Sequence, residues 1–329
     1  MKYRKLGDTD ITVSAIAMGC WAIVGDQTWG PQDESQALDA IHAALDLGVT
    51  TFDTAEGYGR GYSEEMLGRA LEGRRDEAVI LTKVSSGHLA ADELTAACDR
   101  SLKRLKRDYI DLYQVHWPSR RVPLEETWRA LDRLREKGKI RAIGVSNFGV
   151  EDLSNILQLG SVASNQLAYS LLFRAIEYEI QPLCVNENVG IVAYSPLMQG
   201  LLTGKFATVE EVPLGRARTR HFASARAQAD HDEPGHEEET FRALGSIREI
   251  AEATGHPMET LALGWLLAQE GVASVLAGAR NVSQITDNVR AADTELSLPV
   301  LSDLTEATNK LKADMGHNAD MWLSTPRIR

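Results

Sequence analysis

The sequence predicts a single (β/α)8 barrel, and three observations lead to that fold. Eight short apolar runs with the composition of strands alternate with amphipathic stretches of helical period, a pattern typical of a parallel sheet. The 329 residues are a normal length for such a barrel folded as one domain, here residues 1–329. No GxGxxG motif follows the first predicted strand, which argues against an open doubly wound sheet.

A β-hairpin is predicted before the barrel begins. Residues 3–13 contain two short strand-like runs around a turn at Gly7-Asp8. The eight strands of the barrel are then predicted, in chain order, at Ala15–Met18, Thr51–Asp53, Val79–Val84, Ile110–His116, Ile140–Val145, Ala163–Leu167, Ile191–Tyr194 and Ser274–Ala277.

Helices are predicted between these strands. Three intervening stretches repeat apolar residues with helical period, at Ser35–Leu47, Leu94–Leu105 and Leu124–Lys137. The third ends at Lys137-Gly138, a typical stop signal for a helix.

Two segments depart from the alternation. Residues 206–239 are charged and have no apolar period, and they follow the seventh strand, on the face where barrels carry their chemistry. Long loops at this place are either lids or solvated excursions without a role, and both alternatives are open. The tail from Asn318, which contains Met321 and Trp322, continues past the last predicted helix.

Composition limits the partners of the chain. The net charge of −12 argues against nucleic acid as the main partner. The N-terminus lacks the apolar run of a signal peptide, and the longest apolar stretch, Leu261–Ala268, is too short to span a bilayer. Cys20, Cys98 and Cys184 are scattered without metal-ligand spacing. We therefore expect a cytoplasmic protein with reduced cysteines, no metal site and no membrane association.

Four reactive side chains lie at the ends of three neighbouring strands or just after them. Asp53 ends the second predicted strand and Tyr58 follows it, while Lys83 ends the third and His116 the fourth. Because functional side chains of a (β/α)8 barrel lie at the carboxyl ends of its strands, we expect these four to converge on one rim.

Such a set is suited to reducing a carbonyl group. A tyrosine with a solution pKa of about 10 is a poor acid–base group near neutrality, but a nearby ammonium favours the phenolate and lowers that pKa. Lys83 can act in this way on Tyr58, and Asp53 can hold Lys83 charged and oriented. His116 can donate a hydrogen bond to the substrate oxygen as charge develops on it.

The chain resembles the aldo-keto reductases, and the resemblance covers nearly all of it except the charged segment and the tail. It rests on residues 53–58 with 63–68, 81–83, 111–117 and 139–148. It implies hydride transfer between a nicotinamide cofactor and a carbonyl or alcohol substrate. It also implies Tyr58 as the proton donor, with Asp53, Lys83 and His116 as its partners.

The resemblance further implies where a nicotinamide cofactor binds. Ser146, Asn147 and Gln166 are implied to contact the carboxamide, and Tyr194 to stack on the ring. The segment after Tyr194 contains glycines and ends in a cation, so its backbone N–H groups can hold a pyrophosphate. Its candidate contacts are Ser195, Leu197, Gly200, Leu201, Gly204 and Lys205.

The last strand leads into a candidate adenosine site. Gly278 allows the backbone to approach a ligand, and a helix beginning near Ser283 would favour a phosphate at its N-terminus. The segment resembles the adenosine site of the family in Arg280, Gln284 and Asn288, with Asp287 in reach of the adenine amino group. The guanidinium of Arg280 can hold a 2′-phosphate, which favours NADP(H) over NAD(H).

The substrate pocket is predicted to be aromatic. Trp21, Trp29 and Trp117, with Trp322 as a further candidate, lie in or after loops on the active rim and suit an apolar or sugar-like substrate. Arg120 and Arg121 follow Trp117 closely and can select an acidic or polyhydroxylated substrate. Short aldehydes, aldoses and ketones are all compatible with these residues.

Two alternative functions use the same residues. Some members of the resembled family are redox-sensing subunits that bind NADP(H) and turn over slowly, and such a role would show as tight partner association with negligible turnover. Another alternative is a sugar or alcohol dehydrogenase that works in the oxidative direction. The sequence does not indicate an oligomeric state.

Overall fold

The computed structural model describes residues 1–329, and its chain forms a closed eight-stranded barrel preceded by a hairpin. The hairpin consists of β1 (Tyr3–Lys5) and β2 (Thr12–Ser14), which pair antiparallel as the turn at Gly7-Asp8 predicts. The barrel strands are β3 Ile16–Gly19, β4 Thr51–Asp53, β5 Val79–Val84, β6 Ile110–Val115, β7 Ile140–Ser146, β8 Ser164–Ala168, β9 Gly190–Tyr194 and β10 Val272–Gly278.

The predicted fold is confirmed. All barrel strands are parallel to their neighbours, and β10 pairs with β3 to close the ring. Each predicted strand agrees with an observed one to within about two residues.

Helices cover the outside of the barrel, and the three that the sequence predicts are present. They are α1 Glu34–Asp46, α2 Tyr62–Ala70, α3 Ala91–Leu105, α4 Leu124–Glu136, α5 Val150–Leu157, α6 Ile180–Asn186, α7 Glu237–Thr254, α8 Met258–Leu267, α9 Val282–Asp293 and α10 Leu298–Met315. Side-chain caps define two of the starts, since Asp33 accepts from Gln36 N before α1 and Asn281 from Gln284 N before α9. None of these helices combines the length and the apolarity needed to cross a membrane.

Two apolar clusters hold the barrel together. The larger one lies between the strands and the helices, where α8 is buried on nearly every side. The smaller one fills the interior with side chains such as Leu81, Leu112 and Val192, and the hairpin closes its lower end with Leu6 and Ile11. Because the interior is packed, the space for a ligand lies at the opposite, carboxyl end of the strands.

The charged segment is not a solvated excursion. It contains one short 3-10 turn at Val209–Glu211, and it folds back so that Arg220, His221 and Phe222 are buried. Arg220 donates to Glu233 at 2.8 Å and to the carbonyl oxygens of Met315, Asn318 and Asp320. The segment is therefore a packed part of the upper face, held against the C-terminal tail.

Candidate active site

A cavity of about 820 Å³ opens at the carboxyl ends of the strands. The loops after seven of the barrel strands contribute to its wall, and β8 contributes Gln166 from the strand itself. The charged segment and the C-terminal tail also line it. Of the predicted site residues, Asp53, Tyr58, His116 and most of the candidate cofactor contacts line it, whereas Lys83 lies just beneath the surface. The cavity is large enough for a cofactor together with a small substrate.

The predicted catalytic residues come together on the floor of this cavity. Lys83 Nζ donates to Asp53 Oδ1 at 2.6 Å, to Thr54 O at 2.9 Å and to the Tyr58 hydroxyl at 3.3 Å. Lys83 is fully buried and Asp53 nearly so, while the Tyr58 ring is half-buried at the cavity surface. The arrangement leaves the Tyr58 hydroxyl as the reactive group that a ligand can reach.

Burial and charge oppose each other at the two central groups. Burial raises the pKa of Tyr58 above its ordinary value, and the smaller opposing effect of the Lys83 ammonium does not cancel it. Burial lowers the pKa of Lys83, but the Asp53 carboxylate and the contact with Tyr58 together outweigh burial, so this pKa is raised. The expected lowering of the tyrosine pKa by Lys83 is present, but the effect of burial is larger. Tyr58 is therefore a protonated acid at neutral pH and Lys83 an ammonium.

His116 is held neutral beside the tyrosine. Burial, and then the charge of Lys83, lowers its pKa to about 3. Its ring stands nearly perpendicular to the Tyr58 ring, with centroids 5.7 Å apart. A neutral imidazole at this place can donate one hydrogen bond to an oxygen that also faces Tyr58.

The residues predicted to contact a nicotinamide form a hydrogen-bonded chain behind the predicted catalytic residues. Gln166 Nε2 donates to Asp53 Oδ2 at 2.8 Å, and Gln166 O accepts from Ser146 Oγ at 3.0 Å. Asn147 has a positive φ of 62°, and its Oδ1 accepts from the Tyr194 hydroxyl at 2.9 Å. Gln166 thus also fixes Asp53, a role that its position in the sequence does not reveal.

The loop after β9 is shaped to approach a ligand with its backbone. Ser195, Met198 and Gln199 all have positive φ, as does Gly200 at 99°. The side chain of Gln199 is buried in the cavity wall, and neither of its polar atoms has a partner. An unpartnered buried amide is costly unless a ligand satisfies it, which fits a polar cofactor.

Two cations, Lys205 and Arg216, lie beside this loop. Burial lowers the pKa of both Lys205 and Arg216. The positive charge of Arg216 lowers the pKa of Lys205 further, and the charge of Arg280 does the same to Arg216. Both side chains line the cavity without an ion pair, which suits phosphate groups.

Two of the predicted cofactor contacts do not reach the cavity. Leu201 is buried away from it, and Gly204 ends the turn outside its lining.

The predicted adenosine residues Gly278, Arg280, Gln284, Asp287 and Asn288 all line the cavity. The helix behind them begins at Val282, one residue before the expected Ser283. The guanidinium of Arg280 already donates to Gln32 Oε1 at 2.6 Å, to Trp29 O at 2.7 Å and to Pro31 O. Arg280 therefore also fastens the segment after β3 over this end of the cavity.

The predicted pocket tryptophans lie around Tyr58 at the cavity wall. The Trp21 ring stacks on Tyr58 at 6.1 Å between centroids and meets Trp29 edge to face at 5.4 Å. Trp117 and Trp322 also line the cavity. The predicted pocket tryptophans are thus all at the cavity wall.

The expectation for Arg120 and Arg121 is not met. Arg120 points to the surface, where it pairs with Asp152, and Arg121 is exposed outside the cavity. Two other arginines line the cavity near these tryptophans instead. Arg218 comes from the charged segment and Arg327 from the tail, with its guanidinium 3.7 Å from the Trp117 ring centroid. In the sequence, only the arginine-rich run 216–220 could have indicated that Arg218 belongs to the cavity.

Comparison with known proteins agrees with this geometry. The model of the aldo/keto reductase family matches residues 15–309. The chain is 35% identical over 300 residues to the aldo-keto reductase YhdN of Bacillus subtilis, covering 87% of each chain. It is also 35% identical over 320 residues to the NADH-specific methylglyoxal reductase of Escherichia coli, covering 90% of this chain and 95% of the relative.

A solved structure gives the same likeness. The aldo/keto reductase from Klebsiella pneumoniae in complex with NADP and acetate superposes with a TM-score of 0.73. The two chains are 29% identical, and the match covers 93% of this chain and 95% of that one.

Proposed function

The chain belongs to the aldo/keto reductase family, and on that premise we propose that it is an NADP(H)-dependent oxidoreductase that reduces the carbonyl group of a small aldehyde, aldose or ketone, with Tyr58 as the proton donor. One observation carries the proposal. The Tyr58 hydroxyl lies 3.3 Å from a buried ammonium, Lys83, which Asp53 holds at 2.6 Å at the floor of an open cavity.

NADPH supplies the hydride when it is bound. Asn147, Tyr194 and the amide of Gln199, which has no partner in the protein, would hold its nicotinamide half, since all three line the cavity. Lys205 and Arg216 would hold its phosphates, and Arg280 and Asn288 its adenosine half. The unpaired cations favour a cofactor with an additional phosphate, and hence NADP(H).

The chain's own groups then manage the proton. His116, neutral because of its burial, donates a hydrogen bond to the substrate oxygen and stabilises the charge that develops there. Tyr58 transfers its hydroxyl proton to that oxygen, and Lys83 stabilises the phenolate that remains. Asp53 keeps Lys83 in place, so that the phenolate and the ammonium stay in contact until Tyr58 regains a proton from water.

Cofactor binding is the first test. We expect NADPH to quench the tryptophan fluorescence of the protein at lower concentration than NADH, because Lys205 and Arg216 have no anionic partner in the protein. Arg216→Ala should weaken NADPH more than NADH, while Arg129→Ala, on the exposed face of α4, should change neither affinity. Equal losses of affinity for both nucleotides would mean that Arg216 does not bind the additional phosphate.

Turnover is the second test. NADPH oxidation followed at 340 nm should depend on an added aldehyde, aldose or ketone. Tight NADPH binding without turnover across such a panel would favour the redox-sensing alternative. Faster turnover with alcohols and NADP+ at neutral pH would favour the dehydrogenase. Failure to bind either nucleotide would contradict the proposed function.

A further inference from the structure

Arg218 is a cation without a partner in the cavity wall near the predicted pocket tryptophans. It makes no hydrogen bond or ion pair within the protein, and its Nε is buried. Its guanidinium lies over the Trp322 ring, 4.8 Å from the centroid, and over the Trp21 ring at 5.8 Å. The two indoles fix the side chain in position, and its polar edge is left for a ligand.

The neighbouring charges do not satisfy Arg218. Arg327, the other arginine near these tryptophans, is neutralised by Asp320 at 2.7 Å. The carboxylates that act on Arg218 are those of Asp26 and Asp230, but neither pairs with it. The carboxylate of Asp26 accepts hydrogen bonds from the Trp21 indole N–H at 2.9 Å and from two backbone N–H groups. A partly buried guanidinium without a partner costs free energy, which an anion in the cavity would recover.

Arg218 lies beside other side chains than Arg216, the arginine proposed to hold cofactor phosphates. Arg216 lies over Trp29, whose carbonyl oxygen accepts from Arg280 among the predicted adenosine residues. Arg218 instead shares the Trp21 ring with Tyr58, which stacks on that ring. A molecule whose carbonyl oxygen faces Tyr58 can therefore extend along the Trp21 ring to Arg218, because the Tyr58 ring and the Arg218 guanidinium lie 6.1 Å and 5.8 Å from the centroid of that ring.

From this geometry we infer that the substrate is a carbonyl compound with a carboxylate or phosphate group a few bonds from its carbonyl carbon, and that Arg218 binds this anionic group. The inference rests on the proposed function and names the substrate class of the same site. The aromatic walls are compatible with it, because the carbon chain of such a substrate would lie against Trp21 and Trp322.

Matched pairs of substrates test the inference. One pair is succinic semialdehyde and its methyl ester, and the other is glycolaldehyde phosphate and glycolaldehyde. The wild-type protein should reduce the charged member of at least one pair with a kcat/KM about tenfold or more above that of the neutral member. The pair that shows the larger ratio distinguishes a carboxylate from a phosphate.

Variants assign the preference to Arg218. Arg218→Gln should lower kcat/KM for the charged member about 10- to 100-fold, mainly through KM, and change the neutral member less than about threefold. Arg218→Lys should restore part of the loss, and Arg129→Gln on the outer face of α4 should have no effect. The Kd of NADPH should be the same in all four proteins.

Several results would overturn the inference while the proposed function stands. They are equal kcat/KM values within both pairs, equal losses for charged and neutral members in Arg218→Gln, or a matching rise in the Kd of NADPH. If Arg218→Gln fails to fold, inhibition of the wild-type protein decides, because succinate must inhibit reduction of the neutral aldehyde more strongly than succinamide does. No NADPH binding and no reduction of any aldehyde would overturn the proposed function, and the inference with it.

Discussion

At the scale of single residues, burial decides what each active-site group does. Tyr58 and His116 have ordinary pKa values that suit several roles, but burial raises the pKa of the tyrosine and lowers that of the histidine to about 3. The first is thereby kept as an acid and the second as a neutral hydrogen-bond donor. Lys83 stays charged because its contacts with Asp53, 2.6 Å away, and with Tyr58 outweigh the effect of burial on its pKa.

Removal of the Tyr58 hydroxyl tests its role directly. Tyr58→Phe should lower kcat for carbonyl reduction about 100-fold or more, because no other hydroxyl contacts Lys83. The Kd of NADPH, from tryptophan fluorescence, should change little. Tyr3→Phe removes a hydroxyl that bonds Gly48 O on the hairpin and serves as the control. Activity close to that of the wild type in Tyr58→Phe would show that the proton comes from another group.

At the scale of elements, the charged segment depends on one buried arginine. Arg220 connects Glu233 to three carbonyl oxygens around the end of α10. Its side chain is only 5% exposed, so its removal leaves the Glu233 carboxylate and these oxygens without their buried donor.

Arg220→Ala should lower the free energy of unfolding by about 3 kcal/mol, measured by urea denaturation. Arg242→Ala removes an exposed ion pair with Glu238 on α7 and should cost less than about 0.5 kcal/mol. Equal losses in the two variants would mean that the contacts of Arg220 do not stabilise the segment.

The charged segment and the loop after β3 also meet above the cavity, and we expect their contact to control the rate of cofactor release. A Cβ on Gly215 would lie 2.7 Å from Gln27 O and 3.2 Å from Thr28 Cα, so Gly215→Ala has to separate the charged segment from the loop after β3. We expect NADPH to dissociate about tenfold faster from this variant in stopped-flow fluorescence, with kcat/KM for a neutral aldehyde less affected. Gly245→Ala, where an added methyl meets nothing on α7, is the control. An unchanged dissociation rate would mean that this contact does not retain the cofactor.

At the scale of the whole molecule, buried neutral histidines make stability depend on pH. His221 is fully buried, hydrogen-bonds Leu172 O at 2.9 Å, and has its pKa lowered by burial to about 4 from an ordinary value of 6.5. As pH falls below 6.5 the unfolded chain takes up the proton before the folded protein does. The contribution of His221 is therefore complete above pH 6.5 and is lost progressively down to about pH 4.

Urea denaturation at several pH values between 7.5 and 4.5 should follow this dependence. The free energy of unfolding should fall with decreasing pH, and His221 should account for as much as about 3 kcal/mol of the total change by pH 4. His221→Gln should be less stable at pH 7.5 but show a shallower decline, whereas His256→Gln before α8 should keep the wild-type slope. The same slope in all three proteins would show that His221 does not cause the pH dependence.

The sequence by itself determined the barrel, the hairpin and the positions of the reactive residues at strand ends. Strand and helix periodicity arise from contacts between residues close in the chain, and parallel strands bring their carboxyl ends to one rim. Asp53, Tyr58, Lys83 and His116 could therefore be expected to meet, and they do so around Lys83 Nζ.

Only the tertiary structure decided which distant loops complete the cavity and how burial changes the chemistry of its groups. Arg120 and Arg121 follow a strand end but turn to the surface, while Arg218 and Trp322 reach the cavity from irregular segments. Those segments have no periodic pattern, so their course depends on contacts such as those of Arg220 with residues about 100 positions away. Burial, too, is a sum over the whole fold, which is why the direction of the Tyr58 pKa shift could not be obtained from its neighbours in the sequence.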